Sequence, residues 1–125
     1  MIRSKLVADI LNLLLDGDGL ILQDQVQFLT DIEYNYTGVG LIVQFSHSSS
    51  IHNFKLVGGA NIFDGVEIKS SDLLIGAGAT LIIKEGIIDY LDIWSFDGKY
   101  PRKELTEYAL TQKWDGSPRR QITRN

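Results

Sequence analysis

Residues 82–101 read IIKEGIIDYLDIWSFDGKYP, and this stretch decides the fold of the chain. It contains the end of the run 79–84 and the run 87–96, which Glu85 and Gly86 connect. Because glycine adopts positive φ at little cost, this dipeptide predicts a tight turn between two antiparallel strands. A second turn-forming dipeptide, Asp97-Gly98, predicts the end of the second strand. The centre of the fold is therefore expected to be a hairpin.

An amphipathic helix is predicted before this hairpin, from Ile2 to Leu15. Lys5 and Asp9 fall on its polar side, where they are expected to pair at i,i+4. The glycines of the segment 16–19 are expected to end the helix. Its apolar arc consists of Leu6, Val7, Ile10, Leu11, Leu13 and Leu14.

The period changes to two from Val26 to Tyr36, which predicts a long half-buried strand. Its polar side carries Asp31 and Glu33, so both carboxylates are expected to face solvent. The Thr37-Gly38 turn leads into a second strand, and further strands are predicted from later apolar runs. These later runs cover residues 41–45, 54–57, 66–69, 79–84, 87–96 and 108–114.

One helix followed by strands at hairpin spacing predicts an α+β fold. The N-terminal helix is expected to pack across one face of an antiparallel, meander-like sheet of about six to seven strands. Residues 1–114 are expected to form a single domain. Residues 115–125 contain Pro118 and three arginines, and they are predicted to be a flexible basic tail.

The chain has 125 residues, no cysteine and a net charge of −4, and its charge is unevenly distributed. Residues 1–98 hold 13 acidic and 5 basic side chains, whereas residues 99–125 hold 3 acidic and 7 basic ones. An acidic body repels nucleic acid and attracts basic partners, although an acidic balance is also common among soluble proteins. Direct nucleic-acid binding by the three tail arginines is therefore not expected.

The residues that resemble catalytic or metal-binding motifs all lack the expected context. His47 and His52 flank serines, but no GxSxG elbow accompanies them and no third zinc ligand lies nearby. Asp16-Gly17-Asp18-Gly19 begins like a calcium loop, yet Ile21 occupies its required glycine position. The glycine pairs lack the lysine of a phosphate loop. The sequence therefore predicts a protein without catalytic activity, cofactor or metal.

Tyr90, Trp94 and Phe96 share one side of their predicted strand. Such a stripe is usually core beneath a helix. The alternative is an aromatic anchor for a protein partner, since interfaces are enriched in aromatic side chains. The sequence leaves both interpretations open.

A family pattern lies in the same region. Gly86 leads into Ile88-Asp89-Tyr90-Leu91-Asp92-Ile93-Trp94, followed by Gly98, Tyr100 and Pro101. This pattern resembles the C-terminal part of small bacterial immunity proteins, which are encoded beside polymorphic or contact-dependent growth inhibition toxins. The resemblance covers about a fifth of the chain and is more specific for fold than for function.

The resemblance implies a protein that binds and neutralises the effector domain of a cognate toxin. Many such effectors are basic nucleases, so an acidic inhibitor is expected to occlude the nucleic-acid groove. The acidic side chains expected to bind the partner are Asp24, Asp31, Glu33, Asp64 and Asp72.

Two other functional classes remain open. A small-ligand-binding domain would use a pocket between helix and sheet. An enzyme ranks third, because no nucleophile and base form a convincing pair. The first apolar run is interrupted by Asp9 and Asn12 and has no cleavage site after it, so a cytoplasmic protein without a membrane span is expected.

Overall fold

The computed structural model describes residues 1–17, 20–59 and 61–125. Within these ranges it contains two α-helices, a short 3-10 helix and seven strands. In chain order these are α1 Lys5–Leu14, α2 Leu20–Val26, β1 Leu29–Tyr36, β2 Gly40–His47, the 3-10 helix Ser49–Phe54, β3 Ile62–Lys69, β4 Ala77–Lys84, β5 Ile87–Ser95, β6 Tyr108–Gln112 and β7 Gln121–Arg124.

The strands form one sheet in the order β1-β2-β5-β4-β3-β6-β7, and each neighbouring pair is antiparallel. The predicted central hairpin is present, with Lys84 paired to Ile87. Glu85 and Gly86 both have positive φ, 53° and 80°, as a two-residue type I′ turn requires. The predicted α+β class, with a helix on an antiparallel sheet, is confirmed.

Helix α1 packs against β3, β4 and β6 through the predicted apolar arc. Leu6, Ile10 and Leu13 are at most 1% exposed, and each contributes about 2 kcal/mol of burial free energy. The helix begins at Lys5 rather than Ile2, because Ser4 caps it by accepting a 3.2 Å hydrogen bond from the Val7 amide.

The long strand predicted from Val26 begins later than predicted, and its side chains switch from one face of the sheet to the other part-way along. Residues 20–26 form α2, and a bulge in β1 makes Ile32 an extra residue opposite β2. The bulge reverses the alternation, so Asp31 is fully buried while Ile32 is 53% exposed. The prediction that Asp31 faces solvent is therefore wrong, and Glu33, beyond the bulge, is exposed.

The run 54–57 is not a strand. Phe54 ends the 3-10 helix, and the segment is held by the buried amide of Gln25. The Gln25 amide donates to the carbonyls of Phe54 and Gly86 at 3.0 and 2.8 Å and accepts from the Ile88 amide at 2.9 Å. One fully satisfied polar side chain thus joins α2 to the central hairpin, which an alternation pattern cannot reveal.

The flexible tail predicted from residue 115 instead contains β7, which pairs with β6. Arg124 of β7 contacts Asp9 of α1 through two hydrogen bonds of 3.0 Å. Arg120 forms a 2.9 Å ion pair with Asp16. Asp9 was expected on the polar side of the helix, paired with Lys5, but it is 6% exposed and faces the sheet. The basic end of the chain is therefore held against α1 and the residue Asp16 by ion pairs.

Candidate partner-binding face

The two faces of the sheet differ in what covers them. On one face the helices bury the apolar side chains of every central strand, including Val43, Leu81, Leu91 and Leu110. On the other face large apolar side chains remain exposed: Ile62 is 56%, Trp94 44% and Phe96 40% accessible. We call this second surface the open face. Its residues include Glu33, Asn35, Gly40, Ile42, Gln44, Ile62, Asp64, Glu67, Lys69, Gly78, Thr80, Ile82, Tyr90, Asp92, Trp94, Phe96, Thr111 and Lys113.

Cross-strand pairing places these side chains in rows, because paired residues point to the same side of a sheet. One row crosses five strands through Asn35, Ile42, Asp92, Thr80 and Asp64. The next row contains Gly40, Trp94, Gly78 and Glu67. Acidic and aromatic groups from strands far apart in sequence thus lie together.

Trp94 has glycine on both neighbouring strands, Gly40 and Gly78. Its indole lies against Gly78, where an added Cβ would approach the ring to 2.7 Å. Phe96 meets the indole edge to face, with ring centroids 5.1 Å apart. The aromatic stripe is therefore not core beneath a helix. Its position on the open face is the one that the anchor interpretation requires.

Four carboxylates lie among these aromatic side chains. Glu33, Asp64, Glu67 and Asp92 form no ion pair within 4 Å of any cationic residue in the described part of the chain. Burial raises the pKa of Asp92 above its ordinary value. These four carboxylates are therefore not neutralised by an ion pair in the described part of the chain, although Lys69 and Lys113 on the same face partly offset their charge.

Asp64 and Glu67 share this face because of Gly65. Residues three apart in a regular strand point to opposite sides. Gly65, with φ of 101°, forms a bulge that shifts the register between Asp64 and Val66. Sequence reasoning included Asp64 but missed Glu67. The signal was the glycine inside an otherwise alternating strand.

The predicted partner-binding residues do not form one cluster. Glu33 and Asp64 lie on the open face, in different rows. Asp24 is exposed on α2, which packs on the covered face. Asp72 lies in the β3–β4 loop and forms a 3.2 Å ion pair with Lys103.

Asp31 is buried and cannot contact a partner. Its carboxylate accepts hydrogen bonds from the amides of Arg3 and Ser4, at 2.8 and 3.0 Å, and from the Tyr34 hydroxyl. Burial raises its pKa, but these hydrogen bonds outweigh that effect, so the pKa of Asp31 lies below its ordinary value. Asp31 holds the start of α1 against β1.

A depression of about 420 Å³ lies where α1 ends against β3. Its walls include Leu14, Phe63 and Trp114, and the Trp114 indole donates a 3.0 Å hydrogen bond to the Leu13 carbonyl. Between the middle of α1 and the sheet the apolar side chains are buried. This depression is therefore the place where a ligand between helix and sheet would fit.

Comparison with known proteins gives no relative: no family model, curated protein or solved structure matches the chain. Among the described residues, no group of three or more His, Cys, Asp or Glu side chains is arranged to hold a metal ion. No helix in the described ranges has the length and apolar character needed to cross a bilayer.

Proposed function

We propose that this chain is an immunity-type protein that binds the basic effector domain of a toxin in the cytoplasm and blocks it without catalysis. The observation that carries the proposal is the open face: an exposed aromatic pair that shares its face with carboxylates forming no ion pair within 4 Å in the described part of the chain. The resemblance of residues 84–101 to immunity proteins supports the same conclusion.

The physical chemistry of the open face suits a basic protein partner. A nuclease domain must be positively charged to hold phosphate groups. Negative charge on the inhibitor accelerates encounter with such a domain, and buried aromatic side chains slow dissociation. Occupation of the nucleic-acid groove by a folded, acidic sheet would block substrate access.

The direct test asks whether a toxin domain is encoded immediately upstream of this chain and, where one is found, co-expresses the two. Co-purification and loss of that domain's nuclease activity at equimolar ratio are expected. The dissociation constant should rise steeply between 50 and 300 mM NaCl, a range over which the Debye length falls about 2.4-fold. A toxin domain that neither co-purifies nor loses activity would contradict the proposal.

A second candidate function is small-ligand binding in the depression at the end of α1, which is favoured by its apolar walls and its volume of about 420 Å³. This function predicts that an apolar ligand raises the melting temperature and that Phe63→Ala abolishes the rise. It also predicts no stable protein partner, so the co-purification experiment separates the two functions.

A further inference from the structure

The open face contains a groove that has the chemistry of a guanidinium site. The groove has a volume of about 330 Å³ and lies beside the indole of Trp94. Trp94 and Phe96 contribute its aromatic side, and Asp64 and Glu67 contribute its acidic side. Gly78 lies between them and leaves room for the ring.

The position of the two sides follows from strand register. Glu67 pairs with Gly78, and Gly78 pairs with Trp94, so the three residues lie in one row across β3, β4 and β5. Because Gly78 has no side chain, it places no group between the indole and Glu67 along that row. The Gly65 bulge adds Asp64 to the same face, one row away.

Arginine matches this arrangement better than other side chains. Its planar guanidinium stacks on an aromatic ring and donates two parallel hydrogen bonds to a carboxylate. Lysine offers a compact, strongly hydrated charge that makes neither contact as well. The groove also contains Lys113, which forms no ion pair within 4 Å of a described carboxylate. Lys113 weakens the local negative field and so opposes an incoming cation.

We infer that the groove of Trp94, Phe96, Asp64 and Glu67 receives an arginine side chain from a basic protein partner. The inference rests on the proposed function, since it names the contact through which the acidic face would hold the toxin domain. Charge complementarity and the exposed aromatic pair identify the occupant.

The test uses the full chain and hexa-arginine as the probe, followed by two-dimensional ¹H–¹⁵N NMR. The Trp94 indole and the Glu67 amide signals are expected to shift together at millimolar probe. The Trp114 indole serves as the internal control, because it donates to the Leu13 carbonyl on the covered side. Hexa-lysine should bind about fivefold more weakly.

Three variants make the test specific. The isosteric double variant Asp64→Asn/Glu67→Gln should weaken hexa-arginine binding about tenfold. Trp94→Phe should weaken it about threefold, since indole is the stronger cation–π partner. Lys113→Gln should strengthen it about twofold, because a competing positive charge is removed. Because misfolding would weaken binding, stronger binding by the Lys113 variant cannot result from a general loss of structure.

Four results would overturn the inference: equal binding of hexa-lysine, no shift at Trp94, unchanged binding by the double variant, or a dimer of the chain that Trp94→Ala dissociates. Failure of the proposed function is distinguishable. If a toxin domain is bound while the Trp94 indole signal stays unchanged, the proposed function survives and the groove inference fails. If hexa-arginine binds as expected but no protein partner is inhibited, the groove inference survives and the proposed function fails.

Discussion

Carboxylate side chains lie on both the covered face and the open face of the sheet, but their surroundings differ. On the covered side Asp9, Asp16 and Asp31 are held by cations, hydroxyls or backbone amides of the same chain. On the open side Glu33 and Asp92 have no cationic partner in the described structure. Asp31 and Glu33 are only two residues apart in β1. The contrast teaches that acidic composition alone does not distinguish carboxylates that stabilise the fold from those available to a partner.

The largest expected effect comes from removing residues 115–125. This deletion removes β7 and leaves Asp9 buried without its Arg124 partner. The free energy of unfolding is expected to fall by about 4 kcal/mol, because an unpaired buried charge is costly. Urea denaturation measures the loss. A truncated chain as stable as the full one would mean that the C-terminal segment is the flexible tail predicted from sequence.

The next effect distinguishes the two carboxylates of β1. Asp31→Ala leaves the Arg3 and Ser4 amides without their acceptor and is expected to cost about 3 kcal/mol of unfolding free energy. The matched variant Glu33→Ala should change it by less than about 0.5 kcal/mol. Both values come from the same denaturation experiment. Equal costs would contradict the contrast between the two faces.

A pH dependence follows from the covered carboxylates. Burial raises the pKa of Asp9, but hydrogen bonds from Arg124 and Tyr108 outweigh it and leave the pKa below its ordinary value, as at Asp31. A lowered pKa in the folded state stabilises the protein above the unfolded-state value of about 3.9, and this stability is lost as the pH falls through the folded-state pKa. Unfolding free energy should therefore decline below about pH 4. In Asp31→Asn that decline should be shallower. An identical pH profile would show that Asp31 does not contribute to the pH dependence of the unfolding free energy.

The smallest expected effect has the opposite sign and lies on the open face. Burial raises the pKa of Asp92, so its ionised form is less stable in the folded chain than in the unfolded one. Because that penalty applies above the folded-state pKa, Asp92→Asn is expected to stabilise the protein at pH 7 by less than about 1 kcal/mol. It should also weaken partner binding. A loss of stability would show that Asp92 has a structural role instead.

The sequence predicted the helix, the central hairpin and the α+β class because each depends on local periodicity and turn chemistry. Bulges at Ile32 and Gly65 reverse the alternation on which side-chain placement depends, and this is why Asp31 was placed on the wrong face and Glu67 was missed. The C-terminal strand is also held by Arg124, which contacts Asp9, 115 residues earlier. Contacts of that range have no local signature.

The open face also shows what sequence reasoning could infer about function. The aromatic stripe of β5 was visible as a pattern, but only the position of the helices decides whether it is core or surface. Asp24 and Asp72 were equally good candidates in sequence. In the fold they lie away from Glu33 and Asp64, which are on the open face, so they can serve as control positions in binding experiments.

The most direct measurement compares Glu33→Lys with Asp24→Lys. Both substitutions change one exposed carboxylate into an ammonium and alter net charge equally, but only Glu33 lies on the open face. Isothermal titration with the toxin domain should give a dissociation constant about tenfold higher for Glu33→Lys and within about twofold of wild type for Asp24→Lys. Equal losses, or a larger loss for Asp24→Lys, would contradict binding through the open face.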